Sequence, residues 1–106
     1  VVAEVKLALR RTPGSFPNLE RVAEGLTMSP RTLRRKLGAA NTRFQDLLDA
    51  ERRRVAEEYL TTSELSVQQI ADLCGFSDAQ NFSQAFKRWL SISPTEYRRQ
   101  QRDHNQ

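Results

Sequence analysis

The chain is 106 residues long and 12.2 kDa, with 38% hydrophobic and 28% charged residues. These proportions suit one compact domain, or two very small subdomains sharing a connector, and argue against a multidomain enzyme. Its 17 Lys and Arg against 13 Asp and Glu give a net charge of +4 and a pI near 9.8, a balance that suits a polyanionic partner, and no apolar run is long enough to make a membrane one.

Val1 to Arg11 sets Val2, Val5, Ala8 and Leu9 on one stripe at helical spacing, and Thr12-Pro13-Gly14-Ser15 interrupts it. Asn18 is placed to cap a short helix with Leu19, Val22, Ala23 and Leu26 inward. Ser29-Pro30 is an N-cap followed by proline at the first helical position, where a missing N–H costs nothing. In the helix it opens, Leu33 and Leu37 face inward, which gathers Arg31, Arg34 and Arg35 on the outer face with Thr32 beside them. Gly38 falls at its fraying end, and Asn41 closes it in the left-handed conformation. Thr42 and Gln45 then have capping-box spacing ahead of the stripe Phe44, Leu47, Leu48, Val55, Ala56, Tyr59 and Leu60, a long connecting helix ended by Thr61-Thr62-Ser63. For Arg52, Arg53 and Arg54 on it two readings stand open, a solvated face or contact with phosphates.

Ser66 and Gln69 form a second capping box before Val67, Ile70, Ala71 and Leu73, and Gly75 ends that helix. Cys74 is the single cysteine; it has no disulfide partner and reads as a small buried hydrophobe. No secretory signal pattern is present, so the cytoplasm is the expected compartment. Ser77-Asp78 starts the next helix, where Phe82, Phe86 and Trp89 or Leu90 point inward and Gln80, Ser83, Gln84 and Lys87 share the opposite face. Phe76 and Tyr97 join these aromatics in a core. Ser93-Pro94-Thr95-Glu96 opens a short helix through Tyr97, and the polar tail beyond Arg102, with His104, is expected to fray. The expected fold is all-α: seven helices and no sheet, with a first helix-turn-helix subdomain over 1–41, a connecting helix over 42–61, a second subdomain over 62–102 and a tail over 103–106.

The subdomain boundaries rest on an internal repeat. Leu19, Val22, Ala23, Thr27, Met28 and Ser29 align at one fixed offset with Val67, Ile70, Ala71, Gly75, Phe76 and Ser77, and one extra residue then makes Leu33 correspond to Phe82. Each copy reads as short helix, tight turn and capped helix with a polar outer face, the helix-turn-helix pattern. The two faces are chemically unlike, so a monomer should read an asymmetric site. Arg31, Arg34 and Arg35 suit guanine O6 and N7 or phosphates; Gln80, Asn81 and Gln84 suit adenine edges, Ser83 several acceptors, and Lys87 a phosphate. Gln80 also has capping-box spacing from Ser77, which ranks it below Gln84 as a base reader. One histidine and one cysteine make no metal set, and no acid pair or activated nucleophile can be assembled, so neither catalysis nor a metal or cofactor is expected.

Ile70-Ala71, Cys74-Gly75-Phe76-Ser77-Asp78, Phe82-Ser83, Phe86-Lys87, Ser93-Pro94 and Glu96-Tyr97-Arg98 closely resemble the signature of the AraC/XylS family of transcription regulators. The similarity covers nearly the whole chain, with Leu19 to Leu37 like the family's first helix-turn-helix and Phe44 to Leu60 like its connecting helix. It implies sequence-specific binding of double-stranded DNA by two recognition helices in successive major grooves, and regulation of transcription through contacts with RNA polymerase. It also implies a ligand-sensing or dimerisation domain outside these residues. Carried over by position, the family's base-contacting sites fall on Arg31, Arg34 and Arg35 and on Ala79, Gln80, Asn81, Ser83 and Gln84, where Ala79 has only its methyl to offer a thymine. Thr27, Asn41 and Ser91 stand where the family often has glycine, with Asn41 the easiest in a left-handed turn and Ser91 the least comfortable. Two other classes stay open: the DNA-anchoring domain of a larger recombinase or repair enzyme, and a helical module for an acidic protein.

Overall fold

The computed structural model describes residues 1–11 and 15–104; the expected break at Thr12-Pro13-Gly14 and the last two tail residues lie outside them. Among the described residues there are seven helices and no strand, the all-α architecture expected: α1 (Val2–Arg10), α2 (Leu19–Gly25), α3 (Pro30–Ala39), α4 (Phe44–Thr62), α5 (Val67–Leu73), α6 (Ala79–Leu90) and α7 (Pro94–His104). The chain divides into two compact units, Val1–Glu51 and the residues from Arg52 onward. The boundary between the units falls within α4, so each unit takes part of this helix.

In the first unit, Val5 and Leu9 of α1, Leu19, Val22 and Ala23 of α2, Leu33 and Leu37 of α3 and Leu47 of α4 form one buried cluster. Phe16, Leu26, Met28, Phe44 and Leu48 pack around it. One carboxylate is drawn in: Glu51 is only 4% exposed and accepts a hydrogen bond from Arg10 Nε at 3.0 Å. In the second unit, Val55, Ala56 and Leu60 of α4 are buried, as are Ile70, Ala71, Cys74, Phe82, Ala85 and Phe86. Phe86 sits edge-on to Phe82, Trp89 and Tyr97 at centroid distances of 5.8, 6.4 and 5.3 Å, so Phe82 and Phe86 are core, as their spacing predicts, and Trp89 and Tyr97 lie half-buried against Phe86. Each large side chain buried this way contributes about 1.5–3 kcal/mol relative to its exposed state.

Three helices close in the same manner. After α2, the N–H of Met28 donates to Ala23 O and that of Thr27 to Glu24 O, both at 3.0 Å. After α5, Phe76 bonds to Ala71 O and Gly75 to Asp72 O; after α3, Thr42 bonds to Leu37 O and Asn41 to Gly38 O. This is the Schellman pattern, which needs a left-handed residue at the first position past the cap. Thr27, Gly75 and Asn41 supply it at φ 56°, 81° and 59°. Ser91, at φ 67°, closes α6. All three residues standing in for glycine are thus left-handed, but the greatest discomfort falls on Thr27 rather than Ser91, because a branched β-carbon crowds a positive φ.

Two expectations about helix ends are corrected. The Thr42–Gln45 capping box does not form: Thr42 is committed to closing α3, α4 begins at Phe44, and the Gln45 amide turns to Asp49 Oδ1 at 3.0 Å. Helix α7 does not stop near Tyr97 but continues through Asp103 to His104. Arg98 Nε donates to Leu60 O at 3.1 Å, and Arg98 and Arg102 both donate to Ser63 O, at 3.3 and 3.2 Å. These bonds fasten α7 to the carboxyl end of α4 over a stretch of good helix formers.

Candidate nucleic-acid interface

The two helix-turn-helix units share the length of their first helix, a side-chain cap at its start and the same closing bonds at its end. Helices α2 and α5 are seven residues each, capped by Asn18 and Ser66, whose side chains accept the N–H of Arg21 and Gln69. Ser66 and Gln69 complete the expected reciprocal box. The starts of the second helices then diverge. Ser29 caps α3 by accepting the N–H of Thr32 at 3.1 Å, whereas α6 is capped one residue later than its counterpart, by Asp78, which accepts the N–H of Asn81 at 2.7 Å. The expected Ser77–Gln80 box is absent for this reason. Asn81, not Gln80, is tied into the cap, its amide donating to Ser77 Oγ at 3.1 Å and Asp78 Oδ2 at 3.4 Å.

On α3, Leu33 and Leu37 are buried and Arg31, Arg34, Arg35 and Lys36 are exposed with no acid on the helix, so the arginine face stands as the spacing placed it. Thr32 is half-buried, its hydroxyl accepting from Ser29 Oγ at 2.9 Å. Among the described residues neither Arg31 nor Arg35 has an ion-pair partner, while Arg34 Nη2 lies 3.5 Å from Glu20 Oε1. On α6, Phe82, Ala85 and Phe86 are buried, leaving Gln80, Asn81, Gln84 and Lys87 exposed and Ala79 and Ser83 half-buried on the other side. The first face is cationic and the second mostly neutral, as the residues suggested.

Two residues absent from the sequence expectations reach these helices. Glu20 of α2 accepts a long, exposed contact from Arg34 Nη2 at 3.5 Å, and Gln68 of α5 accepts the N–H of Ala79 through its Oε1 at 3.3 Å. They occupy one place in the repeat, which was the available signal. On α4, Arg53 pairs with Glu57 at 2.8 Å and Arg54 with Glu58 at 3.3 Å, each one turn along. Arg52 lies over the Phe76 ring, 4.9 Å from its centroid, and its carbonyl accepts a weak bond from the Cys74 thiol. Burial pushes that thiol up to about 12, against a smaller lowering by Arg52. Among the described residues no three His, Cys, Asp or Glu are grouped to hold a metal, and no helix is long and apolar enough to cross a membrane.

A family model describing a helix-turn-helix domain matches residues 22–100, from the middle of α2 well into α7. The chain belongs to the AraC-type helix-turn-helix family. Among its AraC-type relatives, the ornithine utilization regulator of Pseudomonas aeruginosa is 43% identical over 98 residues, covering 92% of this chain and 29% of that protein. The chain therefore spans under a third of that regulator. A DNA-binding transcriptional dual regulator from Escherichia coli K-12 has a similar structure, with a TM-score of 0.91 at 25% identity over 96% of this chain and 92% of that one. The DNA-binding domain of AdpA, a global transcriptional factor solved in complex with a target DNA, matches with a TM-score of 0.81 and 31% identity, covering 97% and 94%. Like them, this AraC-type chain is a DNA-binding domain of the transcription-regulator class.

Proposed function

We propose that this chain is the DNA-reading end of a cytoplasmic bacterial transcription regulator, non-catalytic itself, in which α3 and α6 each enter a major groove. The observation that carries this is the pair of like-built units with outer faces free of core duty, one bearing Arg31, Arg34 and Arg35 and the other Gln80, Ser83, Gln84 and Lys87. Arg34 and Arg35 are assigned to guanine edges, Arg31 to a guanine or phosphate, and Thr32 to a backbone contact. Gln80, released from the capping duty, joins Gln84 as an adenine reader; Ala79 touches a methyl, Ser83 a base edge and Lys87 a phosphate, while Asn81 serves the cap first. The length of α4 supports two grooves for one monomer: 19 residues at about 1.5 Å each is on the order of 28 Å, against roughly 34–36 Å between successive grooves on one face. Contact with RNA polymerase and a sensing or dimerising domain are assigned to the whole protein.

Selection of bound duplexes from a random pool, followed by base-by-base substitution of the winner, tests this. Two sensitive clusters about one helical turn apart are expected, the first richer in guanine. Arg34→Ala or Arg35→Ala should cost about 1–3 kcal/mol and relax preference at one base, and Gln84→Ala should cost less because its contacts are uncharged. One cluster alone, or two inverted copies that require a dimer, would overturn the single-chain mechanism.

A further inference from the structure

We propose that Glu20 is a positioning residue of the first reading helix, holding the Arg34 guanidinium so that its charge is committed to one base rather than spread over phosphates. This rests on the assignment of α3 to the major groove. The inference comes from comparing the two units at one place. In the second, Gln68 is oriented by its own amide, which donates to Asp72 Oδ1 at 3.1 Å, and its Oε1 accepts the N–H of Ala79, the first residue of α6 and one of the donors a helix start leaves without an internal partner. In the first unit, the opening residue of the reading helix is Pro30, which has no N–H to give. The equivalent side chain, Glu20, therefore has no amide to meet, and it extends to Arg34 Nη2 instead. One position thus steers the reading helix in both units, by its backbone in one and by a reading side chain in the other.

The chemistry of guanidinium makes the arrangement compatible with readout. Arginine offers five N–H donors along separate edges, and a guanine takes two parallel bonds at O6 and N7. One Nη2 hydrogen given to Glu20 leaves donors enough for the base. The carboxylate also repels the DNA backbone, so it weakens attachment to duplexes that offer Arg34 no guanine. Arg31 and Arg35 have no such tether among the described residues and keep the general attraction to phosphate.

The test compares this chain with Glu20→Ala, Glu20→Gln, Arg34→Ala and the Glu20→Ala/Arg34→Ala double variant. Thermal melting establishes that each is folded, and binding is then measured on the selected duplex, on the same duplex altered at the base that Arg34 governs, and on random duplex. Glu20→Ala should cut the preference for that base roughly threefold to tenfold, part of the roughly tenfold to hundredfold that a bidentate contact commands, while binding random duplex more tightly. Glu20→Gln keeps an acceptor without the charge and should restore most of the preference. In the Arg34→Ala background, Glu20→Ala should leave base preference unchanged. Equal weakening on every duplex, or the same change with and without Arg34, would overturn the role of Glu20 while leaving Arg34 as a reader. Finding that Arg34→Ala relaxes no base would instead remove the base-reading assignment itself.

Discussion

Thr27, Asn41 and Ser91 each hold a left-handed turn that glycine would adopt without a steric penalty. A side chain there costs about 1–2 kcal/mol, while glycine loses more entropy on folding, so Thr27→Gly and Ser91→Gly should each stabilise by roughly 0.5–1 kcal/mol, Thr27 the more and Asn41→Gly least. Thermal or urea unfolding of the three variants checks the order. The positions themselves were readable in the sequence as departures from the glycines of the family, but the ranking needed the φ values and the branching at Thr27. Cys74 supports a second prediction. Its thiol is an acid held protonated by burial, so its contribution to stability is complete below pH 9.0, its ordinary value, and is lost as pH rises toward about 12. Tyr97 is raised in the same direction, by burial first and then by Glu57, against Arg53, and adds to the loss above pH 10.0. Unfolding free energy followed from pH 8 upward (roughly the onset of thiol ionisation in an unfolded chain) should fall in the wild type, and Cys74→Ala should remove the part of the fall that begins first.

At the scale of elements, the helix starts at Asn18, Ser29 and Ser66 were legible because capping is decided within four residues. The outer faces of α3 and α6 were legible too, since Leu33 and Leu37 or Phe82 and Phe86 fix what remains outside. What escaped depends on neighbours. Thr42 has cap chemistry but is spent on α3, Asp78 displaces Ser77 because the second turn is one residue longer, and Glu20 meets Arg34 only once the turn has folded. The length of α7 escaped for the same reason, its last turns being secured by Arg98 and Arg102 on carbonyls far away in sequence. Arg98 donates to Leu60, Tyr59 and Ser63 carbonyls, so Arg98→Ala should destabilise the second unit by about 1.5–3 kcal/mol. Loss of helical signal near the α4–α7 junction, followed by amide exchange of residues 58–64, is the readout. Unchanged exchange there would show that α7 holds without it.

At the scale of the whole molecule, α4 is the only element among the described residues that contributes to both units. One alanine inserted between Glu51 and Arg52 would turn everything after it by about 100° and advance it by about 1.5 Å. Base preferences measured on each half-site separately should survive, because neither unit has lost a residue. Affinity for the composite site should drop toward that of the stronger half alone, and an unchanged affinity would mean that the units bind independently of the helix that joins them.

The pairing of Arg53 with Glu57 and of Arg54 with Glu58 has an ionic consequence for such binding. Those cations already have anions one turn away, so they arrive at a duplex with little to exchange. Among the described residues Arg31, Arg35 and Lys87 have no ion-pair partner, and under the proposed DNA-reading function they are the side chains that displace condensed sodium or potassium from the phosphates. The logarithm of affinity should therefore fall against the logarithm of salt concentration with a slope of a few units, close to 0.9 per phosphate neutralised. It should come nowhere near a slope counting all 17 Lys and Arg. Glu57→Gln would release Arg53 from its ion pair, and the slope should steepen if α4 lies near the backbone of the bound DNA.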